Sequence, residues 1–217
     1  MDLAQVSRDV DAVAKAADLL HDELLVLRKI IYKNTSQHRR AQYFQYLVQV
    51  KRAHRALKKN ELKETVTKVQ KLLSALTVGE GMHHVAWKVL NGDVKKDLDA
   101  ALLQLRAVVV ACVDAMEAEK KAYCALGAQF AMTYFIPFCV VANSLLARLF
   151  VLQQTMFIRC VQAHHTLSLA YVAQVALANP LRAGTTAVQI SDYAIPREVL
   201  VAGDGPGLAP LDDDVKL

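Results

Sequence analysis

Leu3, Val6, Val10, Val13, Ala17, Leu20, Leu24, Leu27 and Ile31 recur at alternating spacings of three and four. That period follows one face of an α-helix and predicts a first helix with an apolar seam of about four heptads. Such a seam needs a partner surface, supplied either by later helices of the same chain or by another subunit. Asn34-Thr35-Ser36 are helix-capping residue types, so a second helix is expected from 36 to 59. Leu62, Val66, Val69, Leu73 and Leu76 mark a third helix, which Gly79 and Gly81 break. After a short segment from His83 to Leu90, Asn91-Gly92-Asp93 reads as a turn with a helix cap. Val94, Leu98, Ala101, Leu105, Val108, Cys112 and Met116 then carry a long helix toward Phe135. Pro137 is expected to kink or end it, because proline offers no N–H and clashes with the preceding turn. A last long helix is expected from 138 to 177, closed by Asn179-Pro180.

Beyond Leu181 the periodicity stops, glycine and proline gather, and Asp212-Asp213-Asp214 stands near the end. Residues 179–217 therefore read as an extended or disordered tail. The expectation is an all-α fold: a helical bundle of long antiparallel helices over 1–178, followed by that irregular tail. Only 8 Gly and 5 Pro in 217 residues agree with helices rather than a turn-rich β fold. No internal repeat is present. The opening Met1-Asp2-Leu3 has no basic region followed by an apolar run, so no signal peptide is expected.

An apolar fraction of 54% and a mean hydropathy of +0.21 raise a membrane alternative. Ala122–Ala147 is 26 residues without a formal charge and Cys160–Leu181 another 22; a bilayer needs about 20. A two-span hairpin anchoring a basic cytosolic segment would use both. Against it, the stretches contain Gln129, Asn143, Gln162, His164, His165 and Gln174, and Arg148 and Arg159 stand between them. Neither has an aromatic belt at both ends, and an apolar helix serves equally as the buried centre of a bundle. Membrane partnership is not expected.

Charge singles out one region. Residues 1–27 carry two Lys/Arg against six Asp/Glu, residues 28–71 thirteen against two, and residues 72–217 eleven against thirteen. The chain is thus mildly acidic apart from one basic segment, which suits a polyanion. Within it, Lys33, Asn34, Gln37, His38, Arg39 and Arg40 combine charge with amide and imidazole donors. They fall at the expected helix start, where free backbone N–H groups also favour an anion. Tyr43, Phe44 and Tyr46 follow, then Lys51, Arg52, Arg55, Lys58 and Lys59, with Lys51, Arg55 and Lys58 or Lys59 at helical spacing. The pattern predicts a helix laid on folded RNA: arginine forks on phosphates, Gln37 and Asn34 on 2′-hydroxyls or base edges, Tyr43 open to a base. Phe44 has core spacing with Leu47 and Val48. The bland alternative, a solvated charged face, is weakened by the scarcity of acidic neighbours.

No G-x-S-x-G, H-E-x-x-H, C-x-x-C or paired-carboxylate motif occurs, and Gly79-Glu80-Gly81 lacks the length and the Lys-Ser/Thr of a phosphate loop. His38 has no opposed acid–base group in view and reads as a hydrogen-bonding or capping residue. His83-His84 and His164-His165 are adjacent pairs whose members diverge on a helix, so no metal or cofactor is expected. Cys112, Cys124, Cys139 and Cys160 read as buried free thiols. The chain is not expected to be an enzyme.

Two stretches together resemble a known family. One is Lys33-Asn34 with Gln37-His38-Arg39-Arg40, followed by aromatics and a basic helix. The other is Tyr134-Phe135-Ile136-Pro137 leading into Ser144-Leu145-Leu146-Ala147-Arg148-Leu149. The pairing resembles the family of the nucleolus and neural progenitor protein and the fungal RNase MRP-specific subunit, over residues 15 to 175. Asn34, Gln37, His38, Arg39, Ala147 and Arg148 match its signatures. Two departures stand out: Ser36 precedes the glutamine where the fungal pattern has asparagine, and Tyr43-Phe44 replace a tryptophan pair. The resemblance implies a helical, non-catalytic subunit of a nucleolar ribonucleoprotein, RNase MRP-like, that processes precursor ribosomal RNA. Its partners would be structured RNA and the other protein subunits. A helical protein–protein adaptor, with the basic segment on an acidic protein, is the other reading left open.

Overall fold

Every regular element that the computed structural model describes, over residues 3–57, 59–76 and 92–178, is helical. In chain order these are α1 (Leu3–His38), α2 (Gln42–Ala53), a 3₁₀ turn (His54–Ala56), α3 (Lys59–Leu76), α4 (Gly92–Ala131) and α5 (Ile136–Ala178). The readings of His83–Leu90 and of the tail lie outside the described residues.

The helices assemble as four antiparallel rods, of which the second is broken into α2, the 3₁₀ turn and α3. Polar pairs between neighbouring rods fix their direction. Gln70 donates to Asp11 at 2.8 Å and Lys63 lies 3.5 Å from Asp18, so α3 runs back along α1. Arg159 donates to Asp9 at 3.0 Å and Arg148 to Glu23, so α5 runs antiparallel to α1. Gln153 donates to Glu119 at 2.6 Å across the α4–α5 hairpin. The all-α bundle of antiparallel helices expected from periodicity is the fold.

The α1 seam finds its partner within the chain. Val6, Val10, Val13, Ala17, Leu20, Leu24, Leu27 and Ile31 are all buried, and α1 packs on α5 and α3. Leu27, Leu47, Leu126 and Leu149 are fully buried, each stabilising the fold by roughly 1.5–3 kcal/mol relative to exposure. One polar cluster sits inside this core. His54 Nδ1 bonds the Val50 carbonyl at 2.8 Å, its Nε2 lies 3.2 Å from Glu119, and Gln153 reaches both. Burial pushes the Glu119 carboxyl up, and the bonds from His54 and Gln153 pull it back in part. The cluster ties the second, third and fourth rods at one level.

Several boundaries differ from expectation. Asn34 and Thr35 do not cap a second helix: Asn34 Nδ2 and Thr35 Oγ1 donate back to the carbonyls of Ile30 and Ile31. Satisfied in this way, the side chains leave the ladder intact and α1 continues to His38. The second helix then starts at Gln42 and ends at Ala53, where the backbone tightens to 3₁₀. Pro137 neither kinks nor ends a helix. It sits in the first turn of α5, where a missing N–H costs nothing. The chain reverses instead at 132–135, with Thr133 at φ 61° and Phe135 at φ 53°. That turn divides Ala122–Ala147 between two helices, so the first candidate membrane span is not one helix. Ile136–Leu169 by itself is long and apolar enough to cross a bilayer, but Arg148 and Arg159 pair with α1 and Gln153 is buried. Cys112, Cys139 and Cys160 are buried free thiols as expected, whereas Cys124 is exposed. Burial pushes the Cys160 thiol up to about 12, with Asp9 adding to the effect.

Candidate nucleic-acid interface

The antiparallel order brings two chain reversals to the same end of the bundle: the α1–α2 corner at 39–41 and the α4–α5 turn at 132–135. His38 joins them. Its side chain is 4% exposed and Nδ1 lies 2.6 Å from the Tyr43 hydroxyl. The ring stacks on Phe138 with centroids 4.8 Å apart and meets Phe135 edge-on at 4.6 Å. Burial lowers the His38 pKa, which favours the neutral ring. Burial likewise raises that of Tyr43.

This placement corrects two expectations. Residues 33–38 stand in the last turns of α1, not at a helix start, so the backbone there presents carbonyls rather than free N–H groups to an anion. Tyr43, 8% exposed and bonded to His38, turns into the core and shows no face to a base. Phe44 is buried, as its spacing predicted.

The remaining predicted residues divide between two places. Lys33, Gln37, Arg39 and Arg40 are exposed at the corner end, with Asn34 half-buried and its amide nitrogen engaged by Ile30. Arg52 and Arg55 are exposed and Lys51 half-buried at the far end of α2, about 18 Å away along its twelve residues. The break after Ala53 means that Lys51, Arg55 and Lys59 do not share one continuous helical stripe. Lys58 lies outside the described residues, as does the side chain of Lys59.

Between the two arginine groups lies a face that the charge pattern did not reveal. Gln42, Gln45, Gln49 and Arg52 are all exposed and lie at helical spacing, opposite Phe44, Leu47 and Val50. Gln42 donates to the Tyr46 hydroxyl at 3.1 Å, and Gln45 donates to the Arg39 carbonyl, bracing the corner. The signal was available: three glutamines at i, i+3 and i+7 on the side away from the apolar positions.

No ion pair among the described residues engages Lys33, Arg39, Arg40, Arg52 or Arg55. The reason lies in the sequence: no Asp or Glu occurs between 24 and 60, nor between 120 and 191. The two acid-free stretches meet at this end of the bundle. The other basic residues of the segment are partly answered, as Lys63 is by Asp18. Arg148 of the second family motif belongs to the fold, bonding Glu23 on α1. His164 is buried and His165 exposed, so this pair diverges; His83-His84 lie outside the described residues.

The model of a protein family described as nucleolus and neural progenitor protein, N-terminal, matches residues 2–168. No curated protein and no solved structure matches the chain.

Proposed function

Because the chain belongs to the nucleolus and neural progenitor protein family, we propose that it is a non-catalytic, RNA-binding subunit of a nucleolar ribonucleoprotein. The observation that carries this reading is the acid-free end of the bundle, with arginines at both ends of the glutamine face of α2. Arginine forks at two points about one helix length apart suit phosphates on a folded RNA. The amides between them suit 2′-hydroxyls in a shallow minor groove.

The sequence resemblance points to one kind of assembly. The RNA is RNase MRP-like, the work is processing of precursor ribosomal RNA, and the site of action is the nucleolus. Cutting resides in the partner RNA, while the protein holds RNA and neighbouring subunits in place. The position of His38 is consistent with this: a buried imidazole bonded to Tyr43 is poorly placed to exchange protons with a substrate.

The test is crosslinking and pull-down of the tagged protein from cells, comparing wild type with Arg39→Glu/Arg40→Glu. Enrichment of an RNase MRP-type RNA, with crosslinks lost in the variant, supports the assignment. Capture of proteins but no RNA by either form would point to the adaptor reading instead.

A further inference from the structure

The α4–α5 turn exposes more apolar surface than a free loop needs. Phe130, Met132, Tyr134, Phe135 and Ile136 are all solvent-exposed within seven positions, Met132 and Tyr134 to 62% each. Clustered exposed apolar side chains mark an interaction site. The backbone holds them there at a cost, since Thr133 and Phe135 both take positive φ without being glycine. Beneath them, His38 fixes the turn through its contacts with Phe135 and Phe138. The residues following His38 are Arg39 and Arg40, exposed and unpaired among the described residues.

We propose that this turn is a stacking platform for unpaired RNA bases, with Tyr134 as its principal ring and Arg39 and Arg40 holding the flanking phosphates. The proposal rests on the RNA-binding reading and adds a second class of RNA element, a loop, bulge or single strand taken at the turn, beside the minor groove that the glutamine face suits. Two observations favour a base over a protein helix. Exposed aromatic side chains beside arginines supply a π face together with a phosphate contact, the pairing that single strands use. The surrounding acid-free surface repels nothing anionic.

The test uses the full chain and two labelled RNAs of equal length, a hairpin with an unpaired loop and a blunt duplex, with affinities read by fluorescence anisotropy. Tyr134→Ala is expected to weaken loop RNA on the order of tenfold, to leave duplex binding within about twofold, and to be rescued by Tyr134→Trp. Tyr134 is exposed and the rings that hold His38 are Tyr43, Phe44, Phe135 and Phe138, so its replacement is expected to leave the corner standing; an unchanged circular dichroism melt verifies this. Equal loss on both RNAs, or no loss on either, overturns the platform. So does loss of a protein subunit from the assembly while loop binding is unchanged. Arg39→Glu/Arg40→Glu separates the two levels. If it weakens both RNAs while Tyr134→Ala weakens neither, only the platform fails; if it weakens neither, the RNA reading fails and the platform with it.

Discussion

The Tyr43 hydroxyl lies 2.6 Å from Nδ1 of His38, and this buried bond spans the corner between the first two helices. His38 also stacks on Phe138 of α5, so one ring links the basic corner to the opposite hairpin.

Two consequences are measurable. Tyr43→Phe leaves the His38 nitrogen buried without its hydrogen-bond partner, and a loss of about 1–3 kcal/mol in chemical denaturation is expected. Acid has a related effect. Burial lowers the folded-state pKa of His38 below its ordinary 6.5, and burial lowers that of His164 with help from Arg106 and His165. The unfolded chain then binds more protons than the folded chain just below that value. The contribution is complete above pH 6.5 and shrinks as pH falls through it toward the depressed folded values. A melting temperature flat from pH 7.5 to 6.5 and falling below it is expected. His38→Phe should flatten part of that fall.

Arg159 donates to the nearly fully buried Asp9, which also accepts from Gln5 at 2.9 Å. Arg148 pairs with Glu23 while remaining mostly exposed itself. Removing Arg159 strands a buried carboxylate, whereas removing Arg148 strands one that water can still reach in part. Arg159→Met should therefore cost more, about 1–3 kcal/mol, than Arg148→Met at about 1 kcal/mol or less. Urea denaturation of the two variants tests the order.

Thr133 holds φ 61° in the α4–α5 turn, a region that a β-branched residue enters with strain. Thr133→Gly relieves it, and a gain of about 1 kcal/mol is expected, offset in part by the entropy of glycine in the unfolded chain. A lower urea midpoint for the glycine variant would contradict the strained geometry.

The long elements were legible because a seam such as Val6 to Ile31 repeats its period over about seven turns, and no short-range preference competes with it. The corner was not. Asn34 and Thr35 bond as readily to a preceding carbonyl as to a following N–H, and what ends α1 is the burial of His38 among Tyr43, Phe135 and Phe138, a tertiary fact. The core cluster of His54, Glu119 and Gln153 joins residues 34 to 99 positions apart, which no local pattern announces. For the interface, the excess charge was visible in the counts, but its division between the two ends of α2 depends on where that helix starts and stops. Tyr43 was misplaced for the same reason: once the corner moves from 36 to 39–41, its side chain turns inward.

The central claim is that the arginines at the corner contact RNA phosphates, and the salt dependence of binding by the purified chain tests it most directly. Each phosphate contact adds about 0.7–0.9 to the slope of log K against log salt. Arg39→Glu/Arg40→Glu is predicted to reduce that slope by about 1–2 and weaken binding at least about tenfold at low salt, with an unchanged thermal melt. A variant that keeps wild-type affinity and slope would contradict the account.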